Sequence, residues 1–163
     1  PLANKEIVTG TVLVVNDQEQ TLETQIKKEG CDVYSCTLND LVEGVQVGQL
    51  PKIDWLVCVT QGLGRKAEWV VDVGIKVPVE GFCLLDRISF LEPTRSRESL
   101  LKAHSLRNLI VLSPRPAFRA DNKQAKDSVT SAWFVFSNNS KNKMNTEIDF
   151  ALNWQRPQTL RSV

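Results

Sequence analysis

The chain has 163 residues, 42% of them hydrophobic, and a formal net charge of +1 at pH 7. This length suits one domain, which we place at residues 1–163 with a lead-in at 1–10 and a flexible tail at 155–163. Because no apolar run approaches the roughly 20 residues of a membrane span and no signal peptide is visible, we expect a cytoplasmic protein without a membrane partner.

Strand-like and helix-like segments alternate in the first half of the chain. Runs of β-branched and apolar residues predict strands, whereas capping residues and glycines predict the ends of helices. In chain order we expect a strand at Thr11–Val15, a helix from Asn16 or Asp17 to about Glu29, a strand at Cys31–Cys36, a turn at Asn39–Asp40, an irregular stretch at Leu41–Lys52 and a strand at Asp54–Thr60.

The second half continues the alternation and then changes to strands joined by polar segments. We expect a helix from about Lys66 to Val73, a strand at Gly81–Leu85, a helix at Arg95–His104, a strand at Asn108–Leu112, a polar loop at Pro114–Asp127, a strand at Ala132–Phe136 and a last strand at Glu147–Trp154.

This order predicts an α/β fold with a three-layer, open, mostly parallel sheet and an antiparallel C-terminal hairpin. Right-handed crossovers then make four strands parallel neighbours at the centre of the sheet, namely Thr11–Val15, Asp54–Thr60, Gly81–Leu85 and Asn108–Leu112.

The positions of the cysteines favour a role in core packing over a role in metal binding. They lie in or beside strand-like runs, at Cys31, Cys36, Cys58 and Cys83. They lack the paired close spacing of a zinc site, and the single histidine, His104, lies far from them in sequence. We therefore expect reduced thiols and no metal.

Positive charge is concentrated in residues 95–127, where eight bases oppose three acids; this net of +5 leaves −4 on the remainder of the chain. Such a cluster predicts a face that meets the phosphates of nucleic acid. A solvated lysine–arginine loop would have the same composition, so both interpretations stay open. The candidate nucleic-acid-binding residues are Arg87, Arg95, Arg97, Arg115, Arg119 and Lys123.

Four segments resemble, in the same order, the adenine-specific DNA methyltransferases of phages and prophages. Residues 54–57, Asp-Trp-Leu-Val, resemble the strand that leads into the family's Asn/Asp-Pro-Pro-aromatic motif. Residues 84–92 resemble its leucine-rich run with Arg and a Ser-Phe-Leu-Glu ending. Residues 113–118 and 127–136 resemble its Ser-Arg-Arg-Pro-Ser-Phe and Asp-Ser…Ala-Trp-Phe-Val-Trp blocks. The resemblance spans about 11–154 and implies a Rossmann-like methyltransferase fold.

The loop that binds S-adenosylmethionine in that family is altered here. The family has an acidic-Pro-x-x-Gly-x-Gly loop, in which glycines let the backbone approach the cofactor closely. Here the equivalent residues contain no glycine, and Gln18, Glu19 and Gln20 are expected to obstruct the space of the methionine moiety. Asp40 is the nearby candidate for the acidic residue that binds the cofactor ribose. The degenerate loop comprises Val14, Val15, Asn16, Asp17 and Gln18.

The catalytic motif maps onto Val59, Thr60, Gln61 and Gly62. In the family, the Asn or Asp side chain and a proline carbonyl accept hydrogen bonds from the amine of a flipped adenine, and the aromatic ring stacks on the base. Val59 has no acceptor in its side chain and Gly62 has no ring.

We therefore predict a pseudoenzyme with no catalytic residues and no cofactor. It would act as a nucleic-acid-binding or scaffolding module, with an active methyltransferase or a second copy as the protein partner. The alternative is a divergent adenine DNA methyltransferase that binds S-adenosylmethionine and uses Gln61.

Overall fold

A computed structural model of the chain describes residues 7–17, 20–60, 70, 73, 76–77, 79–92, 94–95, 97–98, 101, 105–115, 129–137 and 145–152. The elements are β1 (Thr11–Val15), α1 (Thr21–Lys28), β2 (Asp32–Cys36), α2 (Leu38–Val47), β3 (Trp55–Val59), β4 (Gly81–Arg87), a 3₁₀ turn (Ile88–Leu91), β5 (Ser105–Ser113), β6 (Ser131–Ser137) and β7 (Glu147–Leu152). Val70, Val73 and Lys76 are also helical, as are Arg95, Arg97, Glu98 and Leu101.

All seven strands lie in one sheet, in the order β2-β1-β3-β4-β6-β5-β7. The pairs β1–β2, β1–β3, β3–β4 and β5–β7 are parallel, and β6 is antiparallel to both of its neighbours. The predicted α/β fold with an open, mostly parallel sheet is therefore confirmed. No helix in the described part of the chain is both long and apolar enough to span a membrane.

The predicted C-terminal hairpin is wrong in its pairing. β6 does not pair with β7; it lies between β4 and β5, and β7 pairs parallel with the far side of β5. For the same reason the Asn108–Leu112 strand is not a direct neighbour of Gly81–Leu85. Six consecutive residues of β6 are buried, 131–136, so both faces of this strand are covered, as they are at the centre of a three-layer sheet. β7 alternates between exposed and half-buried positions, as an edge strand does.

The turn at Asn39–Asp40 and the irregular stretch at Leu41–Lys52 are also wrong, because α2 runs through most of that region. Thr37 and Asp40 form a capping box in which each side chain bonds the other residue's backbone N–H. Two glycines made this segment look irregular. Gly44 lies inside the helix, where a Cβ would come within 2.7 Å of Leu50, and Gly48 ends it at a φ of +67°.

Helices cover the sheet on both faces, which produces the predicted three layers. Ile26 of α1 packs on one face with Val12, Val14 and Val57. Leu41 of α2 packs on the opposite face, and the helical residues Val70 and Val73 join it there, against a core that includes Leu56, Phe82 and Phe134. The two crossovers from β1 to β2 and from β2 to β3 thus use opposite faces of the sheet.

Candidate functional site at the carboxyl edge of the sheet

The carboxyl ends of the parallel strands share one edge of the sheet, which we call the carboxyl edge: the residues that follow β1, β2, β3, β4, β5 and β7. The chain crosses from β1 to β2 on one side and then returns to β3 on the other side of β1. The strand order reverses between β1 and β3, and ligands of open α/β sheets bind in the crevice at such a switch point. This crevice is the candidate site.

Asn16 occupies the switch point and joins three strands. It follows β1 with a φ of +63°, a left-handed conformation that Asn tolerates better than most residues. Its backbone N–H donates to the Cys36 carbonyl at the end of β2, at 3.2 Å. Its side-chain Nδ2 donates to the Val59 carbonyl at the end of β3, at 2.8 Å. One side chain therefore bridges the crevice in which a ligand would lie.

The residues around Asn16 also make internal contacts. Val14 and Val15 are fully buried strand residues. The Asp17 carboxylate accepts hydrogen bonds from the backbone N–H groups of Leu22 and Glu23, at 2.8 and 2.9 Å. The N–H groups of the first turn of a helix have no partner within the helix, and in other proteins such groups bind anionic ligands. The predicted start of the helix at Asn16 or Asp17 is wrong, because the N-cap of α1 is Gln20 and the helix begins at Thr21; the Asp17 carboxylate binds its first turn from outside the helix. Gln18 and Glu19 lie outside the described residues.

The polar groups of Val59 and Thr60, at the end of β3, are likewise bonded within the chain. Thr60 is 2% exposed, and both its N–H and its hydroxyl donate to the Leu85 carbonyl of β4, at 3.1 and 2.8 Å. The Val59 carbonyl is the acceptor that Asn16 uses. Gln61 and Gly62 lie outside the described residues. Asp54, which begins the Asp-Trp-Leu-Val segment, lies at the amino ends of the strands, where its carboxylate accepts from the Thr11 N–H at 2.8 Å.

The thiols at this edge are protonated at neutral pH. All four cysteines are free. Desolvation by burial raises the pKa of Cys36 to about 11 and that of Cys58 to about 12, and it raises the pKa of Cys83 further. A nucleophilic cysteine needs a lowered pKa. Among the described residues, no group of three or more His, Cys, Asp or Glu side chains is placed to hold a metal ion.

Asp40, the candidate ribose ligand, is exposed at the start of α2. Its Oδ2 accepts from the Thr37 hydroxyl at 2.6 Å and from the Thr37 N–H at 2.9 Å. These hydrogen bonds hold the pKa of the Asp40 carboxyl below its usual value. The residue therefore has a structural task, the capping of α2, that accounts for an acid at this position without a cofactor.

Four of the six predicted nucleic-acid-binding residues are described, and they follow strands at the carboxyl edge. Arg87 ends β4 and Arg115 follows β5, and both are exposed. Because only β6 separates those strands, their carboxyl ends are roughly 10 Å apart across the sheet, and Arg115 lies three residues beyond Leu112, the β5 residue level with Arg87. Arg95 is exposed. The Arg97 guanidinium donates to the Ser89 carbonyl at 3.0 Å and lies 5.3 Å from the centre of the Phe90 ring. Arg119 and Lys123 lie outside the described residues.

The bridging role of Asn16 was not predicted from the sequence. Its left-handed position after a strand is the one local signal, since Asn is enriched at such positions. The hydrogen bond joins residues that are 43 positions apart in sequence, so no local sequence pattern predicts it.

Removal of the Asn16 bridge is expected to lower stability measurably. In Asn16→Ala the Val59 carbonyl loses its donor and Ala must adopt a positive φ, so we expect a loss of about 1–3 kcal/mol in the free energy of unfolding. Asn16→Gly loses the same hydrogen bond but tolerates the φ, and it should be less destabilising. Urea denaturation of the three proteins measures both effects. Equal stability of Asn16→Ala and the wild type would show that the bridge contributes nothing.

The chain matches no protein-family model and no curated protein. Among solved structures it is similar to a predicted O-methyltransferase from Agrobacterium tumefaciens, at 10% sequence identity and a TM-score of 0.41. The alignment covers 90% of this chain and 68% of that one. No family, activity or substrate follows for this chain from this similarity.

Proposed function

We propose that this chain is a non-catalytic relative of the adenine-specific DNA methyltransferases of phages and prophages, and that it binds nucleic acid at the carboxyl edge. The observation that carries the proposal is the Asn16 side chain bonded to the Val59 carbonyl across the switch point. In this proposal the bond closes the space between the ends of β1 and β3 that a cofactor would need.

The polar groups around the crevice support a loss of catalysis. A general base or acid must present a titratable group within hydrogen-bond reach of the substrate. The Thr60 hydroxyl and the Asp17 carboxylate are both engaged by the chain's own backbone. The thiols of Cys36 and Cys58 stay protonated at neutral pH because burial raises their pKa values. Among the described residues, Thr60 and Asp17 thus have internal partners, and the Cys36 and Cys58 thiols are in the wrong charge state for a nucleophile.

The cations at the same edge support nucleic acid as the ligand. Arg87 and Arg115 are exposed residues at the carboxyl ends of β4 and β5. Arg95, eight residues after Arg87 in the chain, is also exposed. Guanidinium groups bind phosphate oxygens in pairs of hydrogen bonds, and contacts to the backbone of nucleic acid need no particular base sequence. We therefore assign the Arg87, Arg95, Arg97, Arg115, Arg119 and Lys123 set to phosphate binding of low sequence selectivity.

No S-adenosylmethionine binding is expected. A ligand present at 100 times its Kd raises the free energy of unfolding by about 2.7 kcal/mol, which a melting curve detects readily. We expect an unchanged Tm at 1 mM S-adenosylmethionine and no heat on calorimetric titration. Binding at tens of micromolar or tighter would contradict the proposal and support the divergent enzyme that uses Gln61.

Nucleic-acid binding is expected to depend strongly on salt and on the carboxyl-edge arginines. On duplex DNA, log K falls with log salt at about −0.9 per phosphate neutralised. The double variant Arg87→Glu/Arg115→Glu should flatten this slope by about two. It should also weaken binding by a similar factor for duplexes of unrelated sequence. Fluorescence anisotropy between 50 and 200 mM salt measures the slope.

A second double variant controls for net charge. Lys28 ends α1 and Lys52 precedes β3, so both lie toward the amino ends of the strands, away from the carboxyl edge. Both residues are exposed. Lys28→Glu/Lys52→Glu changes the total charge equally and should leave the slope nearly unchanged. If both double variants weaken binding equally, the attraction is general rather than located at the carboxyl edge. If the wild type does not bind at 50 mM salt, a protein partner becomes the better candidate for this edge.

A further inference from the structure

The Arg97 side chain joins a helix to the turn that follows β4. Its Nη1 donates to the Ser89 carbonyl at 3.0 Å, and its Cζ lies over the Phe90 ring, 5.3 Å from the ring centre. Ser89 and Phe90 are successive residues of the 3₁₀ turn Ile88–Leu91. A guanidinium group can lie on a ring and donate hydrogen bonds in its own plane at the same time. One side chain therefore holds two adjacent residues of the turn.

The turn itself is fixed to the sheet. Phe90 is 3% exposed and packs edge-on against Phe134 of β6, with ring centres 5.2 Å apart. The Ile88 N–H donates to the Thr130 carbonyl, just before β6, at 2.9 Å. The turn also continues directly from β4. A side chain that binds this turn is therefore held in a defined position relative to the central strands.

Arg97 lies in the first turn of its helix, where a cation is unfavourable. Thr94 caps this helix, because its hydroxyl accepts from the Arg97 N–H at 3.3 Å and its carbonyl accepts from the Glu98 N–H at 2.8 Å. The N–H groups of a first helical turn carry partial positive charge, which disfavours arginine there. The Ser89 carbonyl and the face of the Phe90 ring carry partial negative charge and offset this effect. Contacts with the 3₁₀ turn thus compensate for an arginine at this position.

Burial distinguishes Arg97 from the two arginines that precede it. Arg87 is the last residue of β4 and Arg95 is the first helical residue after Thr94; both are exposed. Arg97 is half-buried, and its guanidinium contacts a carbonyl and a ring of the protein itself. Arg97 therefore has the contacts of a residue that supports the site, whereas Arg87 and Arg95 have the exposure that a phosphate ligand needs.

We propose that Arg97 is a positioning residue for the nucleic-acid binding proposed above, on which this inference rests. It ties the start of the helix to the 3₁₀ turn, and it thereby holds Arg95 in a fixed place relative to Arg87. Side chains that are already in position lose less entropy on binding, so a fixed pair of cations binds phosphates more tightly than a loosely held pair. Within the set assigned to phosphate binding, Arg97 acts through Arg95.

Two substitutions at Arg97 separate its position from its charge. We expect Arg97→Lys and Arg97→Met to raise the Kd for duplex DNA by similar factors, about 3- to 10-fold, because neither side chain can hold the Ser89 carbonyl and the Phe90 ring together. Fluorescence anisotropy at about 100 mM salt measures the Kd, and a thermal melt of each variant checks that it is folded. Arg107→Met is the matched control. It removes an exposed cation at the amino end of β5 and should bind within about twofold of the wild type.

A double-variant cycle with Arg95 tests the route of the effect. In the Arg95→Ala background, Arg97→Lys should raise the Kd by less than about twofold, because the cation that Arg97 positions is already gone. Two independent phosphate contacts would instead give losses that multiply, and the effect of Arg97→Lys would then be the same in both backgrounds.

The possible results distinguish failure of this inference from failure of the proposed function. If Arg97→Lys binds like the wild type, the charge of Arg97 is what counts and the inference is overturned. It is also overturned if the effects of Arg97→Lys and Arg95→Ala are independent, or if the Arg97 variants change only the Tm and leave the Kd of the folded protein unaltered. In all three cases the proposed function stands. A wild type that does not bind duplex DNA at about 50 mM salt overturns both.

Discussion

Phe82→Ala is expected to be the most destabilising single truncation in the sheet. Phe82 is fully buried on β4 and stacks on Phe136 of β6, with ring centres 4.6 Å apart. Loss of the ring leaves a cavity between two central strands, and such changes lower the free energy of unfolding by about 3–5 kcal/mol. For a chain of this size the Tm should fall by roughly 6–20 °C.

Tyr34→Ala is the control for this truncation, because it removes an aromatic ring that is 53% exposed on the β2 edge. A surface change of this kind usually stays within about 0.5 kcal/mol. Thermal melts followed by circular dichroism compare the two. Equal melting temperatures for both variants would show that the Phe82–Phe136 stack is not part of a packed core.

Gly81→Val is expected to have the second largest effect, for the opposite physical reason. A Cβ on Gly81 would lie 2.5 Å from the Phe136 carbonyl oxygen and 2.7 Å from the Trp55 ring. Gly81 opposes Trp55 on β3 and Ser137 on β6, so neither neighbouring strand can yield without losing its register. Overpacking of this kind costs about 1–3 kcal/mol for a small side chain, and Val should exceed Ala.

Gly48→Asn is the matched control for a glycine substitution. A Cβ there meets nothing within 4 Å, and the left-handed φ of +67° at the end of α2 suits Asn. Urea midpoints should fall in the order Gly48→Asn, Gly81→Ala, Gly81→Val, from most to least stable. If Gly81→Val were as stable as the wild type, the close approach of β3, β4 and β6 at this point would be refuted.

The positions of the central strands were predictable because the signal is local. β1 was predicted with its observed bounds, and β3 and β4 differ by one or two residues at an end. Each contains a run of apolar residues that can be buried on both faces, and that property belongs to the segment itself. α2 was missed because Gly44 and Gly48 concealed a capping box that Thr37 and Asp40 do carry in the sequence.

The order of the strands was decided by tertiary structure. The sequence places β6 next to β7, and a hairpin is the simplest expectation for neighbours in sequence. β6 instead lies between β4 and β5, because a strand buried on both faces gains most from a central place in the sheet. The alternating β7 then takes the edge, where half of its side chains remain in solvent.

For the candidate site, the sequence by itself determined which chemical groups are missing, and the tertiary structure decided what the remaining groups do. The absence of glycines from residues 14–18 and of an acceptor in the side chain of Val59 follows from residue identity alone. That Asn16 bonds Val59 and that Thr60 bonds Leu85 depends on three strands meeting at one edge. These partners are 43 and 25 residues apart, so only the folded sheet brings them within hydrogen-bond distance.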